Sequence, residues 1–401
     1  MKFKSSQLNL LEDSLAPKLL ALDLFSGAGG LSCGLEQAGY DVLFANEYEK
    51  IFAETYKSNH PDTEVTTEDI RSLNPKIIRK SLGLTVGELD LIAGGPPCQG
   101  FSINAPVRSE KDVRNHLFLD FIRFVEEFKP KNVIIENVPG IVSFSSGDTV
   151  RAIEAALCSI GYSVNISILC AAHYGVPQGR WRTVIIGRRK AKGIYSFPKI
   201  EFSGPIRANF RTSIDGKNLL IQSMSEKLKK FNTVKDAISD LPKISNAGGQ
   251  QECSYTIDAK SEYAKELRKG STKLFNHQCA GLGPDNLERM KFIPPGGSWR
   301  DIPFHLLPAG MKKAKKTDHT KRYGRLTPNG LSSTILTKAD PHWGAFFHPN
   351  QDRVLSVREA ARLQSFPDKY KFNGNLGEQY TQVGNAVPPI LGREIGLSLM
   401  R

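Results

Sequence analysis

Only six cysteines occur in 401 residues, at positions 33, 98, 158, 170, 253 and 279, and no two of them form a CxxC pair. That scatter argues against a zinc site built on paired cysteines and against the disulfide framework of a secreted domain; it fits a reduced, intracellular compartment. Long apolar runs are also missing. No stretch approaches the roughly 18 residues that a bilayer span needs, so no membrane association is expected. The first twenty residues, MKFKSSQLNLLEDSLAPKLL, carry acidic side chains and lack the apolar centre of a signal peptide. A soluble, cytoplasmic protein is the expectation. No glycine-rich turn is followed by Gly-Lys and then Ser or Thr, which argues against hydrolysis of a nucleoside triphosphate. Internal repeats and low-complexity tracts are absent.

What is present points elsewhere. A chain of 401 residues is long for a single core and suits two domains, or one large domain carrying a smaller one. A hydrophobic content of 40% with 24% charged residues is the mix of a folded chain. The formal net charge of +13 suggests a polyanionic partner such as nucleic acid, because charge speaks to partners and not to fold.

The first half alternates short apolar runs with helix-like segments. Strands are expected at 19–24 (LLALDL), 41–45 (DVLFA), 89–93 (LDLIA), 132–135 (NVII) and 183–186 (TVII), with helices at 31–38 and 48–58. Apolar runs separated by helices imply a mostly parallel α/β sheet. The pattern weakens after Arg188. Residues 191–377 read as a second, irregular domain, with basic clusters at Lys227, Lys229 and Lys230, at Lys312, Lys313, Lys315 and Lys316, and at Lys321 and Arg322. Each cluster alone would suit a solvated face. A helical pattern returns at VREAARLQSF from Val357. A last helix at 388–400 suggests that the end of the chain, 378–401, completes the first domain, 18–190.

Two places carry chemistry. The segment LDLFSGAGGLSCGLEQAGY reads as strand, tight turn and helix, with Gly27, Gly29 and Gly30 allowing a sharp turn and close approach to a ligand. Glu47 stands at the end of the next strand, where such folds place a carboxylate for ribose hydroxyls, and Asp69 could hold an adenine amino group. Dinucleotide-binding folds share this turn, so by itself it does not choose a cofactor. The second place is GGPPCQGFS at 94–102, directly after a strand, where the paired prolines hold Cys98 at the carboxyl edge of the sheet. Glu136 in ENVPG follows another strand and reaches the same edge, which suggests a nucleophile beside a proton donor. Arg180 and Arg182 of QGRWR, two apart in an extended segment, are expected to point together into the crevice.

FSGAGG, PPCQG, ENVPG, QGRWR and QVGNAVPP, in that order, resemble the ordered motifs of DNA (cytosine-5) methyltransferases, in particular those of bacterial restriction-modification systems. The resemblance runs from about Leu20 to the C-terminus and is weakest over 190–325. It implies a Rossmann-like domain that uses S-adenosylmethionine and releases S-adenosylhomocysteine, joined to a smaller irregular domain that recognises the target. By this resemblance Cys98 attacks carbon 6 of a flipped cytosine, Glu136 holds ring nitrogen 3 in protonated form, Arg182 holds the base carbonyl, and Arg180 positions the cysteine loop. The cofactor residues implied are Phe25, Ser26, Gly27, Gly29, Gly30, Glu47, Tyr48, Asp69, Ile70, Pro97, Leu117 and Asn385, with no metal. The segment 99–115 suits a loop that closes over the base, and 325–335 (RLTPNGLSSTI) resembles the motif that organises the recognition domain. The partner implied is double-stranded DNA, methylated by a monomer that pairs functionally with a restriction endonuclease. A tRNA methyltransferase of the same fold is the alternative. The recognition region, well over 100 residues long, favours DNA, with Arg300 or Arg322 as candidates for a guanine contact.

Overall fold

The computed structural model describes residues 18–97, 117–190, 197–220 and 222–400. The first of these stretches builds β1 (Leu19–Leu24), α1 (Gly30–Gln37), β2 (Tyr40–Asn46), α2 (Lys50–Asn59), β3 (Glu64–Thr66), α3 (Pro75–Ser81) and β4 (Leu91–Gly94). The second builds α4 (Leu117–Phe128), β5 (Asn132–Asn137), α5 (Asp148–Ser159), β6 (Tyr162–Cys170) and β7 (Trp181–Arg189). The strands form one sheet in the order β3-β2-β1-β4-β5-β7-β6. The fold is therefore α/β, with a largely parallel seven-stranded sheet. Strands β1, β4 and β5 read as continuous apolar runs because both of their faces are buried, one against α1 and the C-terminal helix and the other against α3, α4 and α5. Helix α4 shows why it docks there: Phe118, Phe121, Ile122, Phe124, Val125 and Phe128 line its buried side.

One strand departs from the parallel reading. The run TVII belongs to β7, which lies antiparallel to β5 on one side and to β6 on the other. The start of β7 therefore lies beside the end of β5, and this reversal builds the site described below.

Beyond β7 the elements shorten, as the sequence suggests. They include α6 (Val234–Ile238), β8 (Gly249–Cys253), α7 (Glu262–Arg268), β9 (Leu274–Gln278), α8 (Val357–Leu363), α9 (Leu376–Asn385) and α10 (Pro389–Ser398). Strands β8 and β9 pair antiparallel. Val234, Tyr263, Leu274, Val357 and Phe366 share one buried cluster with Ala21 and Leu31 of the first half. A separate cluster of Trp299, Ile302, Met311, Tyr323 and Phe347 spans Cys279 to Val354. The part that stands apart from the main core is thus narrower than the 191–377 region outlined from composition. Among the described residues no helix is long and apolar enough to cross a membrane.

Helix α8 lies inside this junction although its sequence is charged. Arg358 and Arg362 are fully buried. Arg362 donates to Asp240 and Asp368, and Arg358 donates to the carbonyls of Phe275, Pro367 and Tyr370. Buried charges persist only when paired and hydrogen-bonded in this way.

Candidate active site

The carboxyl ends of β1, β2, β3, β4 and β5 lie along one edge of the sheet, the edge at which α/β folds bind ligands. At β5 the edge carries Glu136. Because β7 runs antiparallel, Glu136 is paired in register with Val184, and Arg182 sits two residues along on the same face. The Glu136 Oε1 lies 2.5 Å from the Arg182 Nε, and both side chains are largely buried. Burial pushes the Glu136 carboxyl above its ordinary range, opposed by the positive charge of Arg182. The Arg182 guanidinium also donates to the Trp181 carbonyl at 2.8 Å.

The turn after β4 is tied to the same place. A Cβ added to Gly95 would lie 3.3 Å from the Glu136 Oε2, so glycine lets the turn pass over the carboxylate. The Asn137 side chain donates to the Pro96 carbonyl at 3.0 Å and accepts from the Val138 N–H at 2.9 Å. Asn137 and Gly95 thus fix the backbone that leads into position 98. Sequence reading did not single out either one; their only signal was adjacency to Glu136 and to the proline pair. Cys98 itself and the loop 99–115 lie outside the described residues.

Arg180 and Arg182 part company, against the expectation that they converge. Arg180 is buried and turns toward the C-terminal part of the chain, donating to the carbonyls of Ile335 (3.1 Å), Gly384 (2.8 Å) and Ala386 (3.0 Å). The divergence has a local cause. Only Arg182 is within β7, whereas the backbone around Gln178 bridges to Ser332, with Pro177 accepting from the Ser332 N–H and Gly179 donating to the Ser332 carbonyl. Arg180 therefore grips the backbone on both sides of Asn385, which is exposed at the end of α9. Gln178 works alongside, donating to the Leu363 carbonyl and the Gln364 side chain and accepting from the Ile335 N–H. The segment 325–335 is in this way threaded between the catalytic sheet and the end of the chain.

The remaining predicted cofactor residues line the edge from β1 to β4. Phe25 and Gly27 both adopt the left-handed region, at φ 59° and 58°. A Cβ at Gly27 would meet nothing within 4 Å, so the turn opens there onto free space. Its N–H is held by the Glu47 carboxylate at 2.7 Å, whose other oxygen accepts from the Glu49 N–H at 2.8 Å. Glu47 is buried, and burial raises its carboxyl above the ordinary value against these two bonds. Tyr48 is 65% exposed, a ring free to cover a flat ligand. Asp69 is half-buried and paired with Arg71, which lowers its carboxyl below the ordinary value; Ile70 beside it is buried. Ser26 is buried with its N–H bonded to the Asn46 carbonyl, Pro97 is half-buried ahead of the cysteine position, and Leu117 starts α4. Gly29 and Gly30 serve a different need. A Cβ on Gly29 would lie 2.5 Å from the Tyr370 phenol oxygen, and one on Gly30 would lie 2.5 Å from the Val387 carbonyl. Close packing of protein on protein requires these two glycines.

Open space at Gly27, a buried carboxylate at the end of β2 and an exposed ring beside it fit an adenosyl ligand laid across the edge. A second exposed surface is built on the Cys279–Val354 cluster. Arg322 lies over the Trp343 ring at 5.0 Å from its centroid, and Trp343 is 55% exposed. Lys312, Lys313, Lys315, Lys316 and Lys321 are exposed on the adjoining loop, and none enters an ion pair among the described residues. Arg300 is exposed, its Nε donating to Ser298.

A family model described as C-5 cytosine-specific DNA methylase matches residues 19–401. Type II methyltransferase M.AgeI of Thalassovita gelatinovora is 35% identical, over 93% of this chain and 97% of that protein. Type II methyltransferase M.DdeI of Desulfomicrobium norvegicum is 34% identical, over 93% and 86%. DNA (cytosine-5)-methyltransferase 1 of Mus musculus is 32% identical over 96% of this chain, which spans only 28% of that longer protein. Among solved structures, a DNA modification methyltransferase encoded within an E. coli prophage superposes with a TM-score of 0.69 at 27% identity, covering 95% of this chain and 98% of its own.

Proposed function

Since the chain belongs to the C-5 cytosine-specific DNA methylase family, we propose that this DNA (cytosine-5)-methyltransferase methylates a flipped-out cytosine within a specific double-stranded sequence through a covalent Cys98 adduct. The observation that carries the mechanism is the buried Glu136–Arg182 pair at the sheet edge, next to the turn that delivers position 98.

Carbon 5 of cytosine is too weak a nucleophile to take a methyl group directly. The Cys98 thiolate forms a bond to carbon 6, which sends the electron pair of the 5,6 double bond toward carbon 5 and the ring. Glu136, raised by burial, gives a proton to ring nitrogen 3 and so neutralises the charge that develops there. Arg182 donates to the base carbonyl while holding Glu136 in place. S-adenosylmethionine supplies an electrophilic methyl group, held by Gly27, Glu47, Tyr48, Asp69 and Asn385. With carbon 5 methylated, a base removes its proton, the electron pair re-forms the double bond, the bond from carbon 6 to sulfur breaks, and ring nitrogen 3 returns its proton to Glu136. The target atoms are inside a stacked duplex, so the base must leave the helix to reach this edge.

The exposed Trp343 ring with the half-buried Arg322 over it, and the adjoining lysine-rich segment, are the surface we assign to the duplex, with the lysines on phosphates and the platform near the bases. Similarity to the Type II enzymes supports a role as the modification partner of a restriction endonuclease in the bacterial cytoplasm; that the chain acts as a monomer is part of the proposal. The test is expression in a host that lacks cytosine methylation, with mass spectrometry of nucleosides from its DNA and tRNA. The reading requires 5-methylcytosine in DNA from cells with the unaltered chain and none with Cys98→Ala. Methylation confined to tRNA would reject the DNA substrate, and methylation by Cys98→Ala would reject the nucleophile.

A further inference from the structure

His60 follows the last residue of α2 and is buried to 3% exposure, outside every role assigned above. Its Nδ1 lies 2.7 Å from the Glu36 Oε1, and its Nε2 lies 2.9 Å from the Tyr370 phenol oxygen. That phenol donates its proton to the carbonyl of Ala28, inside the glycine turn.

The protons can be counted. A phenol carries one proton, and a carbonyl can only accept. With its proton given to Ala28, Tyr370 can only accept from His60, so Nε2 must carry hydrogen. The Glu36 carboxylate likewise can only accept, so Nδ1 must carry hydrogen too. Both ring nitrogens are donors, and the ring is an imidazolium. The Tyr56 ring packs against it at 4.5 Å, centroid to centroid.

We propose that His60 is held as a cation and acts as a positioning residue, fixing the Ala28 carbonyl of the glycine turn through Tyr370 so that the cofactor binds a preset turn. The proposal rests on the cofactor reading given above. The turn is gripped twice: Glu47 holds the Gly27 N–H, and Tyr370 holds the Ala28 carbonyl one residue on. Gly29 completes the arrangement, since a Cβ there would meet the Tyr370 oxygen at 2.5 Å and the His60 Nε2 at 2.6 Å. Loss of the proton leaves a neutral ring that cannot donate to both partners. The groups around the ring are Glu36 from α1, Tyr56 from α2 and Tyr370 from the loop after α8, with Asp23, Cys33 and Lys369 beyond them. Burial keeps both phenols and the Cys33 thiol protonated through the neutral range.

Two measurements decide the matter. In ligand-free protein carrying nitrogen-15 histidine, the His60 resonances are those lost in His60→Gln. Two protonated ring nitrogens near pH 7 are expected, and a nitrogen without hydrogen would overturn the charge assignment. Calorimetric titration with S-adenosylhomocysteine then tests positioning. The dissociation constant should rise on the order of tenfold in Tyr370→Phe and in His60→Gln, the worth of one charge-assisted hydrogen bond. In Glu36→Gln, whose side-chain carbonyl still accepts from Nδ1, it should stay near that of the unaltered protein. A dissociation constant unchanged in Tyr370→Phe and His60→Gln overturns the proposal, even where those variants melt earlier. Absence of binding by unaltered protein would remove the cofactor reading and the positioning role, while the nitrogen signals still decide the charge.

Discussion

Replacing Asp23 by asparagine should change how stability depends on pH by an amount the structure allows to be worked out. Asp23 is 1% exposed in β1. Its Oδ2 accepts from the Ser32 hydroxyl at 2.6 Å, which itself accepts from Tyr56 at 2.7 Å, and its Oδ1 has no partner among the described residues. Burial, with smaller contributions from Glu47 and Glu36, pushes its pKa from 3.8 to about 7, against the Ser32 bond. The folded state therefore keeps a proton that the unfolded chain has already lost. The stability this group lends is complete below its unfolded pKa and is lost as pH rises toward 7, at about 1.4 kcal/mol per pH unit, or about 4 kcal/mol in all. About a unit above 7 both states are ionised and the contribution is level. An asparagine side chain there would keep the acceptor for Ser32 and carry no titration. Urea denaturation of the ligand-free protein at pH 5, 6, 7 and 8 measures the difference. Asp23→Asn should gain on the unaltered protein by roughly 2 kcal/mol between pH 5 and 7 and by only a few tenths more by pH 8. Any fixed cost of the new amide shifts all four points equally. Contributions of other raised groups such as Glu136 cancel in the difference, save the part that Glu47 shares with Asp23. A difference that stays constant from pH 5 to 8 would refute the reasoning.

Three further outcomes are expected. Gly27→Ala should cost about 1 kcal/mol of stability, for its left-handed φ, while sharply weakening S-adenosylhomocysteine binding; Gly30→Ala should instead destabilise by roughly 1–3 kcal/mol through its clash with the Val387 carbonyl. Thermal melting and calorimetry on both variants separate the two glycines. Arg180→Met should lower unfolding free energy by several kcal/mol, at roughly 1–3 for each of the three buried carbonyls it abandons, as read by urea denaturation. Arg322→Ala should weaken duplex binding in anisotropy titrations and, if its contact is to phosphate, reduce the slope of log affinity against log salt by about 1; Trp343→Ala should weaken binding with the slope kept.

The parts legible in the sequence were those whose signal is local. The runs at β1, β4 and β5 announce strands because both faces are buried, and the glycine turn announces itself by composition. Strand β6 was missed although it alternates Tyr162, Val164 and Ile166 with Ser163, Asn165 and Ser167, the period-2 pattern of an edge strand with one face half open. The glycine turn was legible as a turn but not as two devices, because the partners of Gly29 and Gly30 come from more than 300 residues away, at Tyr370 and Val387. Helix α8 read as an ordinary charged helix for the same reason: Asp240, which pairs with Arg362, and the Phe275 carbonyl, which accepts from Arg358, are distant in sequence.

The direction of β7 was the one feature on which the chemistry depends and which no local pattern carries. An apolar strand looks the same whichever way it runs. Were β7 parallel to β5, its first residues would lie at the opposite edge of the sheet, a strand length away from Glu136. Antiparallel insertion instead delivers Arg182 to the end of β5 in a register that fits a diagonal pair on one face. The same reversal leaves the residues before β7 at the active edge, where Pro177 and Gly179 bond to Ser332 and Arg180 is aimed at the backbone around Asn385. One choice of strand direction thus sets the Glu136–Arg182 pair and joins the end of the chain to the cofactor side. For this reason Arg182→Lys, which keeps the charge but loses the planar fork, should harm methylation far more than it harms stability.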